Sequence, residues 1–166
     1  MDVEKLKQIL GLKPLPQEGG FYVESYRSGE KLAAALLPSR YSGDRCLGTA
    51  IYFLLTPGTF SALHKLASDE IYHFYLGDPV ELLLLRKHDT SEVVNLGTDL
   101  ANGMRPQIVV PRETWQGSRL VPGGSFALLG TTMAPGFEFA DFELAKRDVL
   151  VARYPAFSEL IQKLTR

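Results

Sequence analysis

Hydrophobic residues from Phe21 onward occur in short runs that are separated by clusters of turn-forming residues. Runs such as "FYVESYR", "EIYHFYL" and "FALLGTTMA" alternate with "RSGE", "GDP" and "VPGGS". Strand-length runs that are rich in β-branched and aromatic residues, and are bounded by Gly, Pro, Asp and Ser, predict β-strands joined by hairpins. Ten such runs, none with a convincing helical period, predict an all-β sandwich or barrel.

The two ends of the chain have a different pattern, in which apolar residues recur every three or four positions. Asp2 can cap the first of these segments and Gly11 can end it, so we expect a helix over about residues 2–11. Pro155 can begin the last segment, which predicts a helix over about residues 155–164.

The composition is that of one ordinary globular domain. The chain has 166 residues, of which 45% are hydrophobic and 22% charged, and it contains no linker, repeat or low-complexity tract. We therefore expect a single domain over residues 1–166, with a barrel over about residues 19–145. The net charge of −1 gives no reason to expect nucleic acid or an anionic membrane surface as a partner.

Cysteine content and hydropathy bear on where the protein works. The only cysteine, Cys46, excludes an internal disulfide framework and fits a reducing compartment. The N-terminus lacks the apolar core of a signal peptide, and no window approaches the roughly 20 apolar residues that a membrane span requires. These features predict a cytoplasmic protein that does not cross a membrane.

The candidate chemistry is concentrated in residues 56–79, "TPGTFSALHKLASDEIYHFYLGDP". Gly58 and Gly77 bracket His64 and Glu70 on a predicted hairpin. Imidazole and carboxylate groups this close together suggest either a metal site or a pair for general acid–base catalysis.

The alternation of side chains along a strand predicts which of these residues share a face. Glu70 should share a face with Tyr72, and His73 should point to the other side, where it makes structural hydrogen bonds. The remaining histidine, His88, is expected in an exposed turn. The residues expected on the same face of the preceding strand are Ala62, His64 and Leu66.

The hairpin resembles the first motif of the cupin superfamily, which is written G-x5-H-x-H-x3-E-x6-G. The spacing from Gly58 through His64 and Glu70 to Gly77 agrees with this motif, but Leu66 stands where the second histidine belongs. The second cupin motif is degraded, and Gln116 stands where its histidine ligand would be.

The resemblance extends beyond the motifs to one branch of single-domain cupins without an assigned function. It is carried by "EGGFYVESYR", "DEIYHFYLGDP", "RPQIVVPRETWQ" and "APGFEFADFELA". This resemblance implies an all-β jelly-roll barrel with short terminal helices, a ligand pocket in the barrel mouth and, usually, a homodimer. The run "VELLLL" also favours a homodimer, because it is more apolar than the burial of one face requires.

Metal binding and a metal-free pocket are both compatible with the motif. His64, Glu70 and Gln116 would be the ligands of a divalent metal, but an amide oxygen is a poor ligand for transition metals and Leu66 offers no donor. We therefore expect no cofactor, with a divalent metal as the alternative.

Gln116 and several other side chains are candidates for ligand binding. Tyr22, Tyr72 and Trp115 can present an aromatic face with a polar tip, or they can be ordinary core aromatics. Arg27 can hold an anionic or hydroxylated ligand with its guanidinium, or it can form a surface salt bridge.

Three functions remain open at this point. The first is a small-molecule-binding cupin that acts as a metal-independent epimerase or isomerase on a sugar-like or oxygenated substrate, with His64, Glu70 and Tyr72 as catalytic residues. In it, His64 removes a proton next to a carbonyl and Tyr72 returns it from the other face. The second is a non-catalytic ligand-binding module. The third is a metal-dependent oxygenase or lyase that uses His64, Glu70 and Gln116.

Overall fold

A computed structural model describes residues 2–86 and 90–166 of the chain. Within this part the strands form two main sheets that enclose an apolar core, which is the predicted jelly-roll barrel. Short helices lie at both ends, as predicted. His88 lies outside the described residues. No helix of the described part has the length and apolar character needed to cross a membrane.

The elements follow one another in the order of the chain. The helices are α1 (Val3–Leu10), α2 (Arg147–Arg153) and α3 (Ser158–Lys163). The strands are β1 (Lys13–Pro14), β2 (Phe21–Arg27), β3 (Lys31–Leu32), β4 (Arg45–Cys46), β5 (Thr49–Leu55), β6 (Phe60–Leu66), β7 (Glu70–Gly77), β8 (Val80–Leu85), β9 (Glu92–Leu96), β10 (Gln107–Val110), β11 (Trp115–Leu120), β12 (Ala127–Met133) and β13 (Phe142–Leu144).

The two main sheets combine strands that are distant in sequence. One sheet has the order β1-β2-β5-β12-β7-β10 and the other the order β13-β6-β11-β8-β9, while β3 and β4 form a separate pair. Neighbouring strands are antiparallel throughout. The predicted hairpin is the turn from β6 to β7, and its two strands belong to different sheets. His64 and Glu70 therefore lie on opposite walls of the barrel.

The run "VELLLL" forms β8, and both of its faces are covered within the chain. Leu82 and Leu84 point into the barrel core, and Leu83 and Leu85 point outward. The outward leucines pack against a cluster that includes Leu150, Ile161 and Leu164 of the C-terminal segment. The apolar run is thus explained without a second copy of the chain, and the homodimer remains a prediction from the resemblance.

The C-terminal segment contains two helices where the spacing predicts one over about residues 155–164. α2 lies in "AKRDVLVAR", and Leu150 on this helix is 1% exposed. A 3-10 turn over Pro155–Phe157 then leads into α3. The sequence signal for α2 is weak because the helix is short and buries only Leu150 fully.

α1 lies where the helical spacing predicts it. The Asp2 side chain accepts a hydrogen bond from the backbone of Glu4 at 3.0 Å, and Gly11 ends the helix with a φ of 67°. Leu6 of this helix packs against Leu54 and Leu128 on the outer face of the six-stranded sheet. Helices therefore cover the outside of the barrel on both sheets.

Candidate functional site

A cavity of about 290 Å³ lies between the two sheets. Strands β2, β5, β7 and β12 form one wall, β6 and β13 form the other, and the segments before β2 and before β13 form the rim. The acidic and basic residues in its lining are Glu18, Glu24, Arg27, His64, Glu70 and Glu138.

A β-bulge in β6 sets the direction of His64. Gln116 of β11 is opposite His64, but Ser118 is opposite Ser61, so β6 has one extra residue over this interval. The backbone of Ala62 is not used by β11 here: its carbonyl accepts a hydrogen bond from His64 Nδ1 at 2.8 Å, and its N–H donates to the carbonyl of Glu18 at 2.9 Å. Strict alternation, which places Ala62 on the face of His64, is interrupted at this bulge.

The surroundings of the His64 ring favour its neutral form and one of its two tautomers. The ring is 1% exposed and stacks on Phe142, with 4.9 Å between centroids. A carbonyl can only accept, so Nδ1 carries the hydrogen and Nε2 carries the lone pair. Burial lowers the pKa of His64 from its ordinary value of 6.5, and this outweighs the attraction of Glu70 and the hydrogen bond to Ala62. Nε2 has no hydrogen-bond partner in the described part of the chain and borders the cavity.

Glu70 begins β7 and faces the same cavity. It is 7% exposed, and its Oε2 accepts a hydrogen bond from Gln116 Nε2 at 2.7 Å. Burial raises the pKa of Glu70 and repulsion from Glu18 adds to this, while His64 and hydrogen bonds oppose it. The other amide atom, Gln116 Oε1, is buried and has no partner among the described residues.

Glu18 is a residue of this site that the sequence analysis did not identify. Its Oε1 accepts a hydrogen bond from the Ser61 hydroxyl at 2.6 Å. The residue as a whole is partly exposed, but its carboxyl group is desolvated, which raises its pKa to about 7. Glu18 can therefore be present in both protonation states near neutral pH.

The loop before β2 holds Glu18 in place by its backbone conformation. Gln17, Gly19 and Gly20 all have positive φ, at 65°, 104° and 69°. A Cβ on Gly19 would lie 2.5 Å from the carbonyl oxygen of Phe60, so only glycine allows this approach. The Arg166 side chain donates hydrogen bonds to the carbonyls of Gln17 and Glu18. The sequence signal for this loop is the glycine pair in "PLPQEGG".

Arg27 lines the cavity, but its guanidinium is already engaged. Nε and Nη2 donate to the carboxylate of Glu24 at 3.0 and 2.9 Å, and Nη1 donates to Glu138 at 2.8 Å. These carboxylates raise the pKa of Arg27 further above its ordinary value. Of the two roles that the sequence allows for Arg27, ligand binding or a surface salt bridge, the structure contains the salt bridge.

The aromatic candidates lie in three different places. Tyr22 lines the cavity. Tyr72 is 1% exposed and packs in the barrel core beside Glu70, and it does not line the cavity. Burial raises the pKa of Tyr72 well above its ordinary value. Trp115 lies on the outer face of β11 and packs towards the C-terminal helices. Because Gln116 points inward, alternation directs Trp115 away from the cavity.

His73 lies on the outer face of β7, as the alternation predicts. Its Nε2 is 3.0 Å from the Thr132 hydroxyl, and its Nδ1 is 3.3 Å from the amide nitrogen of Gln107. The ring stacks on Tyr75. His73 is a structural residue of the six-stranded sheet.

The donor set of the cavity does not fit a metal centre. Leu66 lines the cavity beside His64, in the position of the second histidine of the cupin motif. Gln116 Nε2 donates to Glu70, so the two side chains contact each other. Among the described residues, no three His, Cys, Asp or Glu side chains are placed to hold a metal ion. One imidazole with carboxylates and an amide is a poor site for transition metals.

Several solved structures share this architecture. Protein SO0799 from Shewanella oneidensis is 37% identical and has a TM-score of 0.86, over 100% of this chain and 98% of that one. A hypothetical protein from Leishmania major is 29% identical, with a TM-score of 0.88 over 99% of both chains. Oxalate decarboxylase from Bacillus subtilis is 14% identical, with a TM-score of 0.53 over 92% of this chain and 37% of that chain, and this likeness is one of fold.

Sequence comparison leads to the same group of proteins. The uncharacterized protein YML079W of Saccharomyces cerevisiae is 29% identical over 139 residues, which are 78% of this chain and 69% of the yeast protein. The family model described as Cupin superfamily (DUF985) matches residues 4–145. This match covers most of the chain and includes both motif regions. The chain therefore belongs to the cupin superfamily, in the functionally uncharacterised branch that this model describes.

Proposed function

We propose that the cavity binds a small oxygenated molecule and that the protein moves a proton on it without a metal, as an isomerase or epimerase does. The observation that carries this proposal is the group of His64, Glu70 and Glu18 on one cavity, each with a pKa displaced by burial. Perturbed titratable groups that converge on a cavity are typical of sites for acid–base chemistry.

His64 is the general base in this proposal. Its Nε2 lone pair takes the proton from a carbon next to a carbonyl group of the substrate, and the electrons of that C–H bond form a carbon–carbon double bond. The carbonyl oxygen receives the displaced electron pair and a proton from a neutral carboxyl group. To give the epimer, the carboxylate takes back the enol proton while the second carboxyl group donates a proton to the opposite face of the same carbon, and exchange with solvent then restores His64 and the carboxyl groups. To give the isomer, the carboxylate takes the proton of the hydroxyl group on the carbon that His64 deprotonated, and the protonated His64 donates its proton to the neighbouring carbon. No oxidant or reductant is required.

The carboxyl groups supply the acid. A carboxyl with a pKa near neutrality can give and take a proton with little cost, and burial moves the pKa of Glu18 to about 7. Glu70 lies on the wall opposite His64 and has a raised pKa for the same reason. Tyr72, to which the sequence analysis assigned the return of the proton to carbon, does not line the cavity, so this role also passes to Glu18 and Glu70.

Deuterium exchange tests the proposal directly. The protein is incubated in D₂O with a panel of uncharged aldoses, ketoses and hydroxyketones, and incorporation at carbon next to the carbonyl is followed by NMR. We expect catalysed exchange with at least one probe, and a loss of about 10²- to 10⁴-fold in His64→Gln, the usual size of a general-base contribution. His73→Gln is the matched control, because His73 lies outside the barrel.

Two outcomes would contradict the proposal. Exchange that is equally fast in His64→Gln would exclude His64 as the base. Binding of probes in the cavity without any exchange would favour the second candidate function, a non-catalytic binding module.

A further inference from the structure

The charges around the cavity indicate which ligands it accepts. We propose that the cavity takes uncharged or positively charged hydroxylated small molecules and excludes anions. This inference deepens the proposed function, on which it rests for the cavity being the ligand site, but it concerns binding and holds whether or not a proton is transferred.

Acidic groups outnumber basic ones in the lining. Glu24 and Glu138 place two carboxylates against the single guanidinium of Arg27, and any ionised fraction of Glu18 or Glu70 adds to this excess of negative charge. Because burial favours the neutral form of His64, Arg27 is the only permanent positive charge among the described lining residues. An anion in this cavity would meet repulsion in a partly desolvated space, where charges interact more strongly than in water.

Arg27 cannot compensate for this repulsion, because its donors are in use. Glu24 binds Nε and Nη2, Glu138 binds Nη1, and the carbonyl of Phe137 lies 3.2 Å from Nη2. An anionic ligand would have to displace a carboxylate to reach the guanidinium. The exchange would replace one ion pair by another and leave the displaced carboxylate near the ligand.

The cavity wall presents a hydrogen-bond acceptor that is unpaired among the described residues, the Nε2 atom of His64. His64 Nε2 bears a lone pair to which no described residue donates a hydrogen bond, and the residue is only 1% exposed. The carboxyl groups of Glu18 and Glu70 line the same cavity. An acceptor without a partner on the cavity wall favours ligands that donate, which hydroxyl and ammonium groups do.

Ligand triads matched in carbon skeleton test the charge preference. Glucose, glucosamine and glucuronate form one triad, and glycerol, serinol and glycerate form a second. Binding is measured from chemical-shift changes of the amides that line the cavity. We expect the neutral or cationic members to bind at least about tenfold more tightly than the anion of the same triad. Equal or tighter binding of the anions would overturn the inference, as would the failure of every neutral and cationic member to bind.

A charge variant tests the reason for the preference. Glu24→Gln with Glu138→Gln frees the Arg27 guanidinium, so glucuronate or glycerate should gain about tenfold or more in affinity, the size of one hydrogen bond to a charged group. The matched control, Glu92→Gln with Glu159→Gln, removes the same charge from exposed ion pairs with Arg86 and Lys163 and should leave affinity unchanged. No gain in the first variant, or an equal gain in both, would contradict the role given to Arg27.

The two proposals fail in different ways. Selective binding of neutral or cationic probes without deuterium exchange would leave the charge preference intact and remove catalysis. Exchange catalysed on an anionic probe would do the reverse.

Discussion

One row of inward residues across the five-stranded sheet changes from polar to apolar. His64 on β6 is opposite Gln116 on β11, and Gln116 is opposite Leu84 on β8. His64 borders the cavity and Gln116 donates a hydrogen bond to Glu70, whereas Leu84 packs in an apolar cluster with Phe53 and Tyr72. The β6 side of the barrel interior is therefore a polar site, and the β8 side is a packed core.

The two sides are held together by different interactions. Close-packed leucines stabilise the β8 side through burial of apolar surface. On the β6 side, the bulge at Ala62 and the loop that carries Glu18 place polar groups by backbone hydrogen bonds. The barrel can therefore tolerate desolvated carboxyl groups on the β6 side, because the packed β8 side supplies the stability of the fold.

The largest loss of stability is expected from breaking the buried ion pair between Arg45 and Asp141 in the segment before β13. Arg45 donates two hydrogen bonds to Asp141 at 2.6 and 2.8 Å, and both side chains are 3% exposed. Asp141→Asn leaves a buried guanidinium without its charge partner and should lower the free energy of unfolding by about 3–5 kcal/mol. Urea denaturation measures this loss. The control is Glu138→Gln, which weakens the exposed pair with Arg27 and should cost less than about 1 kcal/mol; equal losses would contradict the account.

The next largest losses of stability are expected from leucine-to-alanine substitutions on the β8 side and the β6 side. Leu84→Ala removes a side chain that is 1% exposed and surrounded by the core, so the free energy of unfolding should fall by about 2–5 kcal/mol. Leu66→Ala should cost clearly less, because one side of Leu66 already borders the cavity. Urea denaturation measures both losses, and the dependence of the unfolding free energy on urea concentration should be the same in the two variants. A larger loss at Leu66 would mean that the β6 side is as tightly packed as the β8 side.

The carboxyl of Glu18 should make stability depend on pH. Its pKa is raised from 4.5 to about 7 on folding, so between these values the folded state binds more protons than the unfolded state. Stability therefore falls as pH rises through this window, by up to about 3 kcal/mol. Glu18→Gln keeps the shape of the side chain and removes most of this pH dependence. The free energy of unfolding of the variant should therefore exceed that of the parent at pH 8 but not at pH 5. A parent and variant with parallel stability–pH curves would contradict the burial of this carboxyl.

Motif spacing predicts the fold and the hairpin because both depend on neighbouring residues. Strand-length runs and turn residues predict the barrel, and the interval from His64 to Glu70 locates the hairpin whose strands form the two walls. Position 66 is a leucine on the cavity wall, as the motif alignment implies.

Features that depend on distant contacts could not be predicted in the same way. Glu18 reaches Ser61, 43 residues away, through a loop of positive φ values. The bulge at Ala62 arises from pairing with β11 and leaves no signal in β6 itself. Trp115 and Gln116 were both expected at the ligand, although adjacent residues of a regular strand face opposite sides and only Gln116 points inward.

The protonation of His64 tests the central claim of a metal-free proton-transfer cavity most directly. Nitrogen NMR of histidine-labelled protein, with His64→Gln to assign the signal, reports both the tautomer and the pKa. We expect a neutral ring with the hydrogen on Nδ1 and a pKa below 6.5, because burial disfavours the charged form. A ring that carries its hydrogen on Nε2, or that is still charged at pH 7, would contradict the assignment of His64 as the base.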